Sequence, residues 1–195
     1  MGLDSAQLAT AVNQMQAHID QGSTYEWEHS AYLDPNGTEP GTGGNCSSTA
    51  SNCVVTAGEN NPSEAPASGD QGSGVLNIEA NTNAITNNDY IEAGNLITFR
   101  VGGGGYQYHT GLVLGVERQD GTTTITFGHN SSTAGAASET FTIGDGSTWD
   151  NRTHGFYWWD NTPNLVNAGI QPSTTIVGSG PTYIQPIPAT TLTPR

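Results

Sequence analysis

Apolar residues recur near the start of the chain at helical intervals, Leu3, Leu8, Ala11, Val12, Met15 and Ile19, and this spacing predicts a helix over residues 5–21. Asp4 or Ser5 serves as N-cap and Gly22 as the stop. His18 falls in the last turn, where the helix dipole favours a proton, and is expected to be solvated. Residues 23–45 read as a loop that carries Tyr25-Glu26-Trp27, His29 and Ala31-Tyr32-Leu33 before a run dense in Gly and Pro. A second helix is expected from Cys46, because Thr49, Ala50, Cys53, Val54 and Ala57 share one face with it and Gly58 supplies a stop. Past a Pro- and Ser-rich loop at 59–74 the signal changes to short apolar runs, at 75–78, 95–101, 111–117, 122–127, 139–143 and 155–159. Gln119-Asp120-Gly121 is a hairpin turn between two of them. Helices followed by an antiparallel meander of five or six strands predict an α+β domain over residues 1–162. From Thr162 onward Pro, Thr and Gly dominate without a period, and 163–195 is read as an extended arm or tail.

Charge narrows the function classes. Eighteen acidic residues face four basic ones, all arginine, for a net charge of −14, so polyphosphate is repelled and nucleic-acid binding is not expected. The same balance disfavours an anionic membrane surface. No apolar run approaches the roughly 20 residues of a membrane span, and the first residues lack the basic and apolar segments of a secretory signal. The chain is therefore read as soluble, with no membrane span.

Cys46 and Cys53 are the only cysteines. No Cys-x-x-Cys or His-x-x-x-His spacing supports zinc, and the turn around Asp34-Pro35-Asn36-Gly37 lacks the ligands of a calcium loop, so neither metal nor cofactor is expected. A Cys46–Cys53 disulfide and a nucleophilic cysteine remain as alternatives.

Two histidines favour the nucleophile. His109 opens one strand and His129 closes the next, positions from which imidazoles can serve as a base and as the group that orients it. Cys46 would stand at the positive end of its helix, where a thiolate is stabilised, with Cys53 buried. Taking Cys53 as nucleophile instead leaves barely one turn before Gly58. The expected arrangement has the Cys46 thiol within hydrogen-bond reach of His109, and His129 on the ring nitrogen of His109 that points away from the sulfur. Asn130 is the substitute orienter.

These segments resemble the NlpC-type, papain-like cell-wall cysteine peptidases, together with CHAP amidases and the small amidase effectors of bacterial secretion systems. Asn45-Cys46-Ser47-Ser48 is similar to the family's Asp-Cys-Ser-Gly turn, with Ser48 in the place of the glycine. Gly94-Asn95-Leu96 is similar to its Gly-Asp-Leu strand start, His109-Thr110-Gly111-Leu112 to its His-x-Gly strand, and His129-Asn130-Ser131 to its His-Ala-Ser ending. The resemblance covers roughly residues 5–160. It implies a papain-like fold, a Cys46-His109-His129 triad and an oxyanion-binding tyrosine, for which Tyr32 is nearer in spacing and Tyr25 nearer in pattern. It further implies peptidoglycan stem peptides as substrate, a protein inhibitor or delivery partner, and export without an N-terminal signal. The competing expectation is a β-rich surface or phage structural module that binds carbohydrate or protein. Its disulfide would join Cys46 and Cys53, and its contacts would come from exposed Trp149, Tyr157, Trp158 and Trp159.

Overall fold

A computed structural model describes residues 5–26, 39–63, 74–100 and 108–159. Tyr32, His29, the turn at 34–38 and the arm at 163–195 lie outside these described residues.

Helix α1 (Ser5–Asp20) buries Leu8, Ala11, Met15 and His18 along one stripe. Two short bridges, β1 (Thr24–Tyr25) and β2 (Gly43–Gly44), pair in parallel and deliver the chain to α2 (Cys46–Thr56). Helix α3 (Gly74–Asn81) precedes β3 (Asn83–Ile85), and the remaining strands are β4 (Leu96–Arg100), β5 (Tyr108–Gln119), β6 (Thr122–Ser131), β7 (Gly135–Thr142) and β8 (Thr153–Trp158). They form one six-stranded sheet in the order β3-β8-β4-β5-β6-β7, antiparallel throughout. The protein is thus an α+β domain. The β5–β6 turn places Asp120 and Gly121 at φ 51° and 79°, the left-handed pair that tight hairpins require.

Side-chain alternation divides the core between the two faces of the sheet. On the helix face Leu96, Leu112 and Tyr157 pack with Leu8, Met15, Ala50, Cys53, Val54 and Ile78. On the other face Ile97, Phe99, Val113, Ile125, Phe127, Phe141 and Phe156 form a largely aromatic layer. Only the first layer is covered by helices among the described residues.

Helix α2 is built from poor helix formers, Ser47, Ser48, Thr49, Ser51 and Asn52, all of them buried. Its stability comes from hydrogen bonding. Asn45 Oδ1 accepts from the Ser48 amide at 2.9 Å and Ser48 Oγ accepts from the Asn45 amide at 2.8 Å, a reciprocal capping box. Ser51 bonds Ser63 at 2.9 Å, and Asn52 Oδ1 accepts from Gln14 at 2.8 Å and from His18 Nε2 at 3.0 Å.

The expected solvated His18 is in fact fully buried, because the stripe of α1 turns it onto α2. With Nε2–H given to Asn52, Nδ1 accepts from the Ser23 hydroxyl at 2.9 Å, and Ser23 Oγ in turn accepts from the Gly41 amide. Burial lowers the His18 pKa against the opposing pull of Asn52 and Glu39. A histidine depressed in the folded state leaves the unfolded chain to take up the proton first. Stability should therefore be full above about pH 6.5 and decline as pH falls below it, by up to about 1.4 kcal/mol per pH unit for each such group. Burial also lowers His154, so several groups contribute. Urea unfolding at pH 7.5 and 5 isolates the share of His18: His18→Gln should lose less stability over this interval than wild type, and an equal loss would refute the assignment.

Two further expectations fail. Residues 75–78 form no strand; Val75 and Ile78 fall on one buried face of α3, since three apolar residues within four positions fit either period. Nor is the aromatic group at the end of the domain exposed. Trp159 is fully buried and donates its indole N–H to Gly94 O at 2.6 Å, and Tyr157 lies in the helix-side core.

Candidate active site

Strands β5 and β6 bring His109 and His129 onto the same face of the sheet. In the register Gly111 lies opposite His129, and a Cβ at Gly111 would collide with the Gly128 carbonyl and press on His129 Cβ at 3.2 Å. The glycine two residues after His109 thus leaves the space into which the second imidazole fits. The rings meet edge to face with centroids 4.8 Å apart, and His109 Nε2 lies 2.6 Å from His129 Nδ1. One of the two nitrogens donates. If His109 Nε2–H is the donor, its Nδ1 keeps a lone pair facing away from His129, as a base requires. Trp149 stacks on His109 at 5.8 Å with the rings 29° apart, and Phe99 lies on it at 6.5 Å. Both imidazoles are held below the ordinary histidine range by burial, assisted for His109 by His129 and for both by the positive charge of Arg152. They rest neutral.

Cys46 is the first residue of α2. The cap consumes the amide of Ser48, which leaves the amides of Cys46 and Ser47 to converge on the sulfur together with the amide of Thr110, the neighbour of His109 on β5. Despite these donors, burial pushes the thiol up to about 11. No hydrogen bond joins Cys46 to His109 among the described residues, contrary to expectation. The cause is the alternation of β5: α2 packs on the face of Thr110 and Leu112, whereas the His109 ring projects from the other face. The two meet around the strand ends, where a pocket of 490 Å³ is lined by Tyr25, Cys46, Tyr108, His109, His129 and Trp149, among others.

The other candidates separate cleanly. Tyr25 reaches the pocket and Tyr32 lies outside the described residues. Cys53 is fully buried on the core side of α2 with its thiol donating to Thr49 O at 3.2 Å. Both cysteines are free, and the Cys46–Cys53 disulfide is excluded by the helix itself, since seven residues at about 1.5 Å rise separate them by far more than a disulfide spans. Asn130 does not stand in for His129. It projects to the helix face, where its amide nitrogen donates to Thr24 O at 3.0 Å, Gly44 O at 2.9 Å and Thr49 Oγ1 at 3.2 Å. One side chain thereby ties β1, β2 and α2 to β6. Asn130→Ala should cost about 2–3 kcal/mol in denaturant unfolding, because three acceptors lose a buried donor; a change below about 0.5 kcal/mol would show that the tie is unimportant.

No known family model, curated protein or solved structure matches this chain.

Reading the sequence alone missed Arg152 and Trp149 as parts of the pocket. Both stand on the turn between β7 and β8, where the buried carboxylate of Asp150 accepts from the amides of Gly144 and Gly146, each at 2.8 Å. The run of Gly and Asp at 144–146 is a turn signal, but nothing in it says which way the turn folds. No group of three or more His, Cys, Asp or Glu residues suited to a metal occurs among the described residues.

Proposed function

We propose that this protein is a cysteine hydrolase of papain-like, NlpC-type fold that cleaves an amide bond in peptidoglycan stem peptides. The single observation that carries the proposal is the 2.6 Å imidazole pair sharing a pocket with a cysteine at a helix N-terminus. Cys46 and His109 rest as thiol and neutral imidazole rather than as an ion pair, given the direction in which burial moves each. The proton therefore leaves the thiol during attack. Sulfur adds to the amide carbonyl as His109 Nδ1 takes the thiol proton, after a side-chain rotation that brings the two together. The amides of Cys46 and Ser47 receive the developing oxyanion, with the Tyr25 hydroxyl at the same mouth. Collapse expels the amine, which leaves with the proton from His109, and a thioester remains. Water, deprotonated by His109, then releases the carboxylic acid and restores the thiol. His129 holds the ring of His109 throughout.

Such a substrate lies outside the cytoplasm, so the proposal includes export or delivery by another component, and a protein inhibitor that protects the producing cell. Tyr25, which lines the pocket, is given the oxyanion role, while Tyr32 lies outside the described residues. The test is digestion of purified sacculi and soluble stem peptides, with products read by mass spectrometry. New pairs of amine and carboxylate ends, one water heavier in sum than the parent, are expected. Unchanged peptides across a range of stem compositions would sink the proposal.

A further inference from the structure

The chain carries four arginines against 18 acidic residues, so where the three among the described residues use their guanidinium groups is informative. Arg100 is paired with Glu79 at 2.6 Å, and Arg118 donates to the carbonyls of Asn88 and Ile91, at 2.7 Å each. Arg152 differs. Its guanidinium lies 4.0 Å from the centroid of Trp149, it is partly desolvated, and its side chain makes no hydrogen bond or ion pair among the described residues. The same Trp149 stacks on His109, and Arg152 lines the pocket with Cys46, His109 and His129. Glu139, the only acidic side chain on that wall among the described residues, is exposed on β7 and is not joined to Arg152 by an ion pair.

This placement is built rather than incidental. The Asp150 carboxylate fixes the turn through two backbone amides, and the aromatic plane of Trp149 fixes the guanidinium. A cation so held leaves its in-plane N–H groups for a ligand, the geometry that matches a carboxylate with two parallel hydrogen bonds. It also has a cost in the free protein: its charge depresses both imidazoles. An anionic group bound there would relieve that effect at the moment the base is needed. The other walls are supplied by Ser131, Ser132 and Thr133, neutral hydroxyls suited to peptide and amide groups.

We propose that Arg152, carried on Trp149, selects substrates that bear a free carboxylate close to the scissile amide, and so makes this site specific for acidic stem peptides over their amidated forms. The inference rests on the hydrolase proposal for the identity of the neighbouring groups, but its test needs no turnover. In Cys46→Ala protein, calorimetry would compare the tripeptide L-alanyl-γ-D-glutamyl-L-lysine, whose D-glutamyl α-carboxylate is free, with the twin in which that group is a carboxamide. The acid should bind about tenfold more tightly than the amide. Adding Arg152→Gln should bring the ratio near one, and Arg152→Lys should retain part of the preference, since it keeps the charge without the fork. Melting temperatures of the three proteins control for folding. Equal binding of acid and amide by the Arg152 protein, binding of neither, or a preference that persists in Arg152→Gln would overturn the assignment. A preference that follows Arg152 alongside wild-type protein that leaves the acid peptide uncut would uphold the carboxylate site and sink only the hydrolase proposal.

Discussion

Cys46→Ala is expected to reduce amide hydrolysis by at least about 1,000-fold while leaving the melting temperature close to that of wild type. In the proposed mechanism Cys46 supplies the covalent route, and without it only binding and the oxyanion amides remain. The fold should not notice, because Cys46 is half-buried at the first position of α2, its sulfur only accepts from backbone amides, and alanine is the better helix former. Cys53→Ala should behave in the opposite way. It removes a fully buried sulfur from the layer of Ala50, Val54 and Leu112, and should cost about 1–2 kcal/mol of stability with activity retained. Alkylation gives an independent reading. A thiol raised to about 11 by burial carries little thiolate at neutral pH, so modification of Cys46 by iodoacetamide should climb with pH into the alkaline range. Activity surviving in Cys46→Ala and lost in Cys53→Ala would mean that the other cysteine is the nucleophile.

How far the sequence carried depends on whether a residue acts through its near neighbours or through distant ones. The α1 stripe, the start of α2 at Cys46 and the Asp120-Gly121 hairpin all follow from local period or local turn chemistry. The pairing of His109 with His129 does not follow from the turn alone: the register set there would put His129 opposite Leu112, and the irregularity between Val113 and Gly115 shifts it opposite Gly111, onto the face of His109. The face on which Cys46 arrives is a different matter. It depends on α2 packing against β5 across a separation of about sixty residues, and no periodicity encodes that. The same limit explains Asn130, which is adjacent to His129 and was open to being read as its substitute, although strand alternation sends it to the opposite face and onto α2. It explains His18 as well, whose partner Asn52 lies 34 residues away. Helix α3 failed for another reason: three apolar residues in a four-residue run are too few to distinguish a period of two from one of 3.6. Arg152 was hidden because its meaning lies in having no carboxylate partner among the described residues, which shows only beside the ion pair of Arg100 and the carbonyl contacts of Arg118.

His109→Ala should lower turnover by about 10²–10⁴-fold, the range of a lost general base, and His129→Ala should lower it less, on the order of tenfold. The asymmetry follows from the proposed mechanism, in which His109 moves the proton and His129, 2.6 Å from its Nε2, only holds the ring. Asn130 offers no rescue, since its amide is committed on the other face of the sheet. A merely structural His129 would give the same loss, so the pH profile must decide. His129 is one of the groups that push the His109 pKa down, after burial itself. With the base depressed, the neutral imidazole persists to low pH, and the acid limb of kcat/KM in wild type should fall well below pH 6.5. His129→Asn keeps a polar partner but removes a titrating ring, so the His109 pKa should rise and the acid limb should move up toward 6.5. An acid limb that stays in place while turnover falls would reduce His129 to packing. Equal losses in His109→Ala and His129→Ala, with both limbs shifted together, would instead mean that the two rings titrate and act as one base.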